Sequence, residues 1–135
     1  MTIRLDHTIV PAKDKVASAE FFAEIFGLKV KLSHFAEVQI NESLTFAFAD
    51  KPEAWEGPGL DPGKSESQHY AFHVSDAEFD AIFGRIQERK LRYWADPGQT
   101  QEGKINHHDG GRGVYFEDLN GHLLEIITRP YGSGG

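Results

Sequence analysis

Apolar residues recur along this chain with two periods, and the alternation between them predicts its elements. Thr2 to Val10 carries Ile3, Leu5, Ile9 and Val10 around Thr8, a strand composition ended by Pro11. Asp14 to Phe26 changes to spacings of three and four. Val16, Ala19, Phe22, Ala23 and Phe26 form one helical stripe, with Gly27 as the C-terminal cap. Three short strands follow, Leu28 to Ser33, Ala36 to Ile40 and Ser43 to Ala49, the last two joined by a turn at Asn41-Glu42.

The second half has the same order. His69 to Val74 reads as a strand, and Ser75 with Glu78 forms a capping box ahead of a helix from Asp76 to Arg89. Phe79, Ile82, Phe83 and Ile86 are its apolar stripe. Leu91 to Ala95 is a strand, Asp96 to Gly111 a Gly-rich loop, and Arg112 to Thr128 a hairpin turning at Asp118, Asn120 and Gly121. Between the halves, Lys51 to Gln68 holds Pro52, Gly57, Pro58, Gly59, Pro62 and Gly63, the composition of a linker. His7 and His69, Asp14 and Asp76, and Phe21 and Phe83 all match at one offset, so the chain reads as a duplicated β-α-β-β-β module. The expected organisation is a first module over 1–50, a linker over 51–68, a second module over 69–130 and a flexible tail over 131–135.

One residue breaks the apolar pattern of the last strand. Glu125 sits within Leu123 to Thr128, where a charge is costly unless something pairs with it. Arg129, Arg112, a hydrogen-bond cluster or a metal ion are the candidate partners. Each half opens on a strand histidine, His7 and His69. Taken singly, such a histidine is more often a hydrogen-bonded core or surface residue. Taken together, two imidazoles at equivalent positions and one carboxylate form an open triad suited to Fe, Mn, Ni or Zn. Vacant positions on such an ion admit a substrate through two oxygens.

Composition narrows the function further. Of 135 residues, 39% are hydrophobic and 26% charged, enough for one domain with a real core. No apolar run is long enough for a membrane span, and the amino-terminal residues lack a signal-peptide pattern, so cytoplasmic residence is the default expectation. Cysteine is absent, which removes disulfides and thiolate metal sites. A formal charge of −7 argues against nucleic acid as a partner. It is otherwise an ordinary solubility charge.

The stretches LDHTIVPAKD, ASAEFFAEIFGLKV, QHYAFHVSDAEFDAIF and GVYFEDLNGHLLEIIT resemble the vicinal oxygen chelate superfamily of glyoxalases, extradiol dioxygenases, fosfomycin thiol transferases and bleomycin-binding proteins. The resemblance implies an α+β fold of two βαβββ modules forming cup-like curved mixed sheets, expected to pair across a homodimer. It places His7, His69 and Glu125 on the superfamily's metal-ligand positions. The glyoxalase pattern adds a Glu on the last strand of the first half, but SLTFAFAD has no such carboxylate near Thr45 to Ala47. Tyr115, ten residues before Glu125, falls where a tyrosine faces substrate in the dioxygenases and thiol transferases. Only Arg129 follows Glu125 as a basic group, which disfavours a phosphonate such as fosfomycin.

Other candidates are less determined. His107 and His108 in the long loop are candidate proton carriers or solvated side chains. His73 shares a strand face with His69 and is a candidate wall of a substrate pocket. Phe48 and Trp94, with Tyr93 and Trp55, are candidate pocket aromatics or core. His34 and His122 read as surface or turn residues. The expected function is a metal-dependent enzyme on a small oxygen-chelating substrate, extradiol-dioxygenase-like ahead of a glyoxalase-type lyase or isomerase. The competing reading is a drug-sequestering binding protein of the bleomycin-resistance kind. The expected assembly is a homodimer whose sites combine His7 of one chain with His69 and Glu125 of the other, with a monomer as the alternative.

Overall fold

A computed structural model describes residues 3–50 and 67–134. Trp55 and nearly all of the predicted linker lie outside the described residues. The chain divides into two compact units, Met1–Glu66 and Ser67–Gly135.

In the first unit the elements are β1 (His7–Ala12), α1 (Lys15–Phe26), β2 (Val30–Leu32), β3 (Ala36–Gln39) and β4 (Thr45–Asp50). They form one mixed sheet in the order β1-β4-β3-β2. Strand β1 starts later than its composition predicts because its neighbour does: His7 pairs with Thr45 in parallel register, and the Thr45 N–H reaches back only to the Asp6 carbonyl. Ile3 and Leu5 are left exposed. The strand also runs through Pro11 to Ala12, which an edge position tolerates because only one side needs ladder bonds. Asp14 caps α1 by accepting from the Ala17 N–H, and Gly27, at φ 73°, closes it. The buried face of α1 is broader than the predicted stripe, taking in Ser18, Phe21 and Ile25. Phe22 packs against Phe46 and Phe48, at 5.3 and 5.8 Å between ring centres. The helix therefore covers the sheet face of Val10, Phe46 and Phe48, and His7, Ile9, Thr45 and Ala47 line the other face.

The second unit repeats this plan with β5 (His69–His73), α2 (Asp76–Glu88), β6 (Tyr93–Trp94), β7 (Gly113–Glu117) and β8 (Leu123–Ile127). The order β5-β8-β7-β6 matches the first sheet strand for strand. Phe79, Ile82 and Ile86 are the buried residues of α2, and Phe83 stands edge-on to Tyr93 at 5.0 Å. Tyr93 pairs with Phe116, so α2 covers the face of Phe116, Val114, Leu124 and Ile126. Arg112 ties the start of β7 to α2: its guanidinium bonds Asp80 at 2.7 Å and Asp76 at 3.1 Å and lies 4.4 Å from the Phe79 ring centre. The turn between β7 and β8 is held from inside. Asp118 accepts from the N–H groups of Asn120 and His122, and Gly121 takes φ 82°. Among the described residues, no helix is long and apolar enough to cross a membrane.

The predicted capping box is present. Ser75 Oγ accepts from the Glu78 N–H at 3.1 Å, and Glu78 Oε1 accepts from the Ser75 N–H at 2.8 Å. That backbone bond lowers the Glu78 pKa, so the ionised carboxylate stabilises the folded state above its ordinary value of 4.5. Ser75→Ala is expected to cost about 1 kcal/mol at neutral pH in urea unfolding. The contribution of Glu78, removed by Glu78→Gln, is full above pH 4.5. It fades as pH falls through the lower folded value.

Candidate functional site

Strand alternation decides which side chains meet on the helix-free face of the second sheet. Leu124 and Ile126 turn toward α2, so Glu125 between them turns away. Tyr115 lies directly opposite Glu125 on β7, and Trp94 lies opposite Tyr115 on β6. On the other side β5 runs parallel to β8, pairing Ala71 with Glu125 and His69 with Leu123. One face thus carries His69, Glu125, Tyr115 and Trp94 in a row.

The side chains in this row are bonded to one another. Glu125 is only 1% exposed. Its Oε1 lies 3.0 Å from His69 Nε2, and its Oε2 accepts from the Tyr131 hydroxyl. The Tyr131 hydroxyl is also 2.8 Å from that of Tyr115, whose ring stands edge-on to the His69 imidazole at 5.9 Å. Burial, followed by the bonds to Tyr131 and Glu125, pushes the Tyr115 phenol well above its ordinary pKa. Burial and the bond to Glu125 raise Tyr131 as well. Arg112, one of the two predicted basic partners, is committed to Asp76 and Asp80 instead. The carboxylate is therefore held by an imidazole and a phenol.

These residues fit a divalent cation on three counts. A buried carboxylate with no Lys or Arg among its hydrogen-bond partners favours a positive charge beside it. The 3.0 Å between His69 Nε2 and Glu125 Oε1 is close to the spacing of neighbouring ligands bound at about 2.1 Å to one ion. His7, on the corresponding strand of the first unit, engages Asp6 Oδ2 through Nδ1 at 2.7 Å, which leaves Nε2 as its candidate ligating atom. Among the described residues, no preformed group of three such ligands is present.

The model of the Glyoxalase/Bleomycin resistance protein/Dioxygenase superfamily matches residues 4–126. The chain belongs to that superfamily. Within the superfamily, the solved structure of "Oxidase ChaP-H2" is 52% identical, covers all of both chains and superposes with a TM-score of 0.88. "Oxidase ChaP-H1" is 48% identical over 98% of this chain and all of its own, with a TM-score of 0.83. Glutathione transferase FosA of Serratia marcescens is 25% identical over 90% of this chain and 78% of its own length. Superfamily relatives thus include proteins named as an oxidase and a transferase.

The register adds a detail about the first half. Ala47 pairs with Ile9 as Glu125 pairs with Ala71, so the first-sheet counterpart of Glu125 is an alanine. Glu37, opposite Ala47, is the counterpart of Tyr115.

Other predicted residues fall elsewhere. Phe48 packs in the core of the first unit on the face covered by α1. His73 is exposed, with Nε2 3.2 Å from the Thr128 carbonyl oxygen. His107 and His108 are exposed around the 3-10 turn His108–Gly110, outside the bonded cluster of His69, Glu125, Tyr131 and Tyr115. Trp94 is buried, Arg92 lies over its ring at 5.1 Å, and its indole N–H has no hydrogen-bond partner. His122 is not a surface residue: it is fully buried, and its Nδ1 accepts the Gln68 N–H at 3.0 Å, tying the turn to the strand that carries His69. Tyr131 escaped the sequence reading because it lies past the last strand in a Gly-rich stretch. Its one visible signal was an aromatic residue six positions after a buried carboxylate.

His122→Ala removes a fully buried side chain and with it the acceptor of the Gln68 N–H. It is expected to lower stability by about 1–3 kcal/mol in denaturant titration. Metal uptake per folded molecule should not change.

Proposed function

We propose that this protein is a metal-dependent oxidase of the superfamily, acting on a small substrate that chelates the metal through adjacent oxygens. The observation that carries this reading is the buried Glu125 carboxylate bonded to His69 and faced by Tyr115, on a sheet face that no helix of its own unit covers. The 52% identity to a protein named as an oxidase favours oxidative chemistry over isomerisation. Ala47 at the counterpart of Glu125 supports the same choice, since a fourth carboxylate ligand is not available there.

His69, Glu125 and His7 would hold the ion, which would polarise substrate oxygens and lower their pKa. Glu125 supplies the negative charge of the set, and Asp6 orients the His7 ring. Tyr115, opposite Glu125 on β7, would donate to a substrate oxygen by exchanging its present bond to the Tyr131 hydroxyl for one to the substrate. Trp94 offers a second donor, its unpartnered indole N–H. His107 and His108 serve as candidate proton carriers at the edge of the site. In the extradiol form of the reaction one carbon–carbon bond of the substrate breaks and two carbon–oxygen bonds form. Dioxygen supplies both oxygen atoms.

Elemental analysis of protein purified without chelator tests the reading. Near-stoichiometric Fe, Mn, Ni or Zn is expected, falling at least about 10-fold in His69→Ala and in Glu125→Gln. Protein that neither carries nor takes up metal would leave the drug-sequestering alternative as the better account.

The duplicated fold supports a reading of the assembly. We propose a homodimer in which His7 of one protomer completes the site of His69 and Glu125 of the other. Mixing His7→Ala with Glu125→Gln protein, after unfolding and refolding together, should then restore about a quarter of the metal sites, because half the dimers are mixed and each holds one intact site. Sites internal to each chain would restore none.

A further inference from the structure

We propose that Tyr131 is a positioning residue for Glu125, and that Asp109 latches the segment carrying Tyr131 in place. This rests on the metal-site reading above and extends it to two residues outside the strands. The two oxygens of Glu125 are differentiated by their partners. Oε1 faces His69 Nε2, and Oε2 takes the Tyr131 hydroxyl. With Oε2 held, the carboxylate cannot turn about its last torsion, and Oε1 is the oxygen presented beside the imidazole.

Tyr131 is 56% exposed, yet its hydroxyl reaches a carboxylate that is 1% exposed. Its ring packing alone does not fix that reach; its backbone does. Ser133 N–H bonds the Pro130 carbonyl oxygen at 3.1 Å, and the N–H groups of Gly132 and Gly134 bond Oδ2 and Oδ1 of Asp109, each at 3.2 Å. Positive φ at both glycines, 78° and 74°, allows alternate N–H groups to converge on one carboxylate. Asp109 is itself at φ 55°, inside the turn that follows His107. One clamp therefore joins the loop of His107 and His108 to the hydroxyl that orients Glu125. A change in that loop is felt at the metal-facing carboxylate without touching it.

Calorimetric titration of the full chain with Mn2+ alone tests this. Tyr131→Phe removes only a hydroxyl from an exposed ring and is expected to weaken Mn2+ binding about 10- to 100-fold while the chain stays folded by circular dichroism. Asp109→Gly keeps the positive φ accessible while deleting the latch, and is expected to lose part of that affinity. Asp109→Asn, which tolerates the same backbone and keeps an acceptor, should retain most of it. In the Tyr131→Phe background, Asp109→Gly should cost little more, because the latch acts through the lost hydroxyl. Tyr131→Phe binding within about twofold of wild type, or equal costs of Asp109→Gly in both backgrounds, overturns the inference and leaves the metal site standing. Wild-type protein that takes up no Mn2+ and no other divalent metal overturns the functional reading and this inference together.

Discussion

The buried carboxylate of Glu125 is the constraint on which the second unit is arranged. An ionised group removed from water costs several kcal/mol unless its lone pairs are met. Here they are met by groups from three separate segments: His69 on β5, Tyr131 beyond β8, and Tyr115 through Tyr131. His69 and Tyr115 are placed by backbone pairing. The parallel register of β5 on β8 brings His69 to Glu125, and the antiparallel register of β7 brings Tyr115. A one-residue slip in either pairing would turn its side chains to the α2 face and leave the carboxylate unmet. The register is in turn fixed by the apolar residues between them, Val114, Phe116, Leu124 and Ile126, all buried. Core packing and site geometry are two faces of one sheet.

The first unit has the same topology but not the same chemistry. Its helix-free face carries Ala47 where the second carries Glu125, and Glu37 where the second carries Tyr115. Ala47 asks for no polar partner, and no cluster like that around Glu125 is built on it. What the first unit retains is a strand histidine with a carboxylate on its Nδ1. Of the duplicated modules, one carries a buried anion with its hydrogen-bond shell, and the other carries a strand histidine bonded to its neighbouring carboxylate.

Much of this was legible in the sequence, for identifiable reasons. Periodicity found both helices because their stripes alternate with charged residues, and the capping residues Asp14, Gly27 and Ser75 do what their types predict. Glu125 stood out because an apolar strand makes a lone charge conspicuous. Strand ends were read less well, since a strand ends where its neighbour does. Ile3 and Leu5 have strand-like composition but no strand beside them. His122 lies in the turn but not at the surface, for a related reason. Its turn sequence, Asp118 to His122, predicts exposure, whereas the turn folds its polar groups inward and the imidazole accepts from Gln68. Phe48 is one of several apolar residues in β4, where pocket and core cannot be told apart by composition.

Tyr131 marks a different kind of limit. Local pattern identifies residues whose role is set by neighbours in sequence. Tyr131 has its role through Asp109, 22 positions earlier, and through glycines whose value is their positive φ. Glycine and a short turn are the signature both of a loose end and of a backbone shaped to place N–H groups on a carboxylate. Only the partner distinguishes them. That partner sits in a loop rather than a strand, so the orientation of the buried anion depends on a segment outside the sheet. Loops can vary without cost to the core, and in this chain such variation reaches Glu125 through a single hydroxyl.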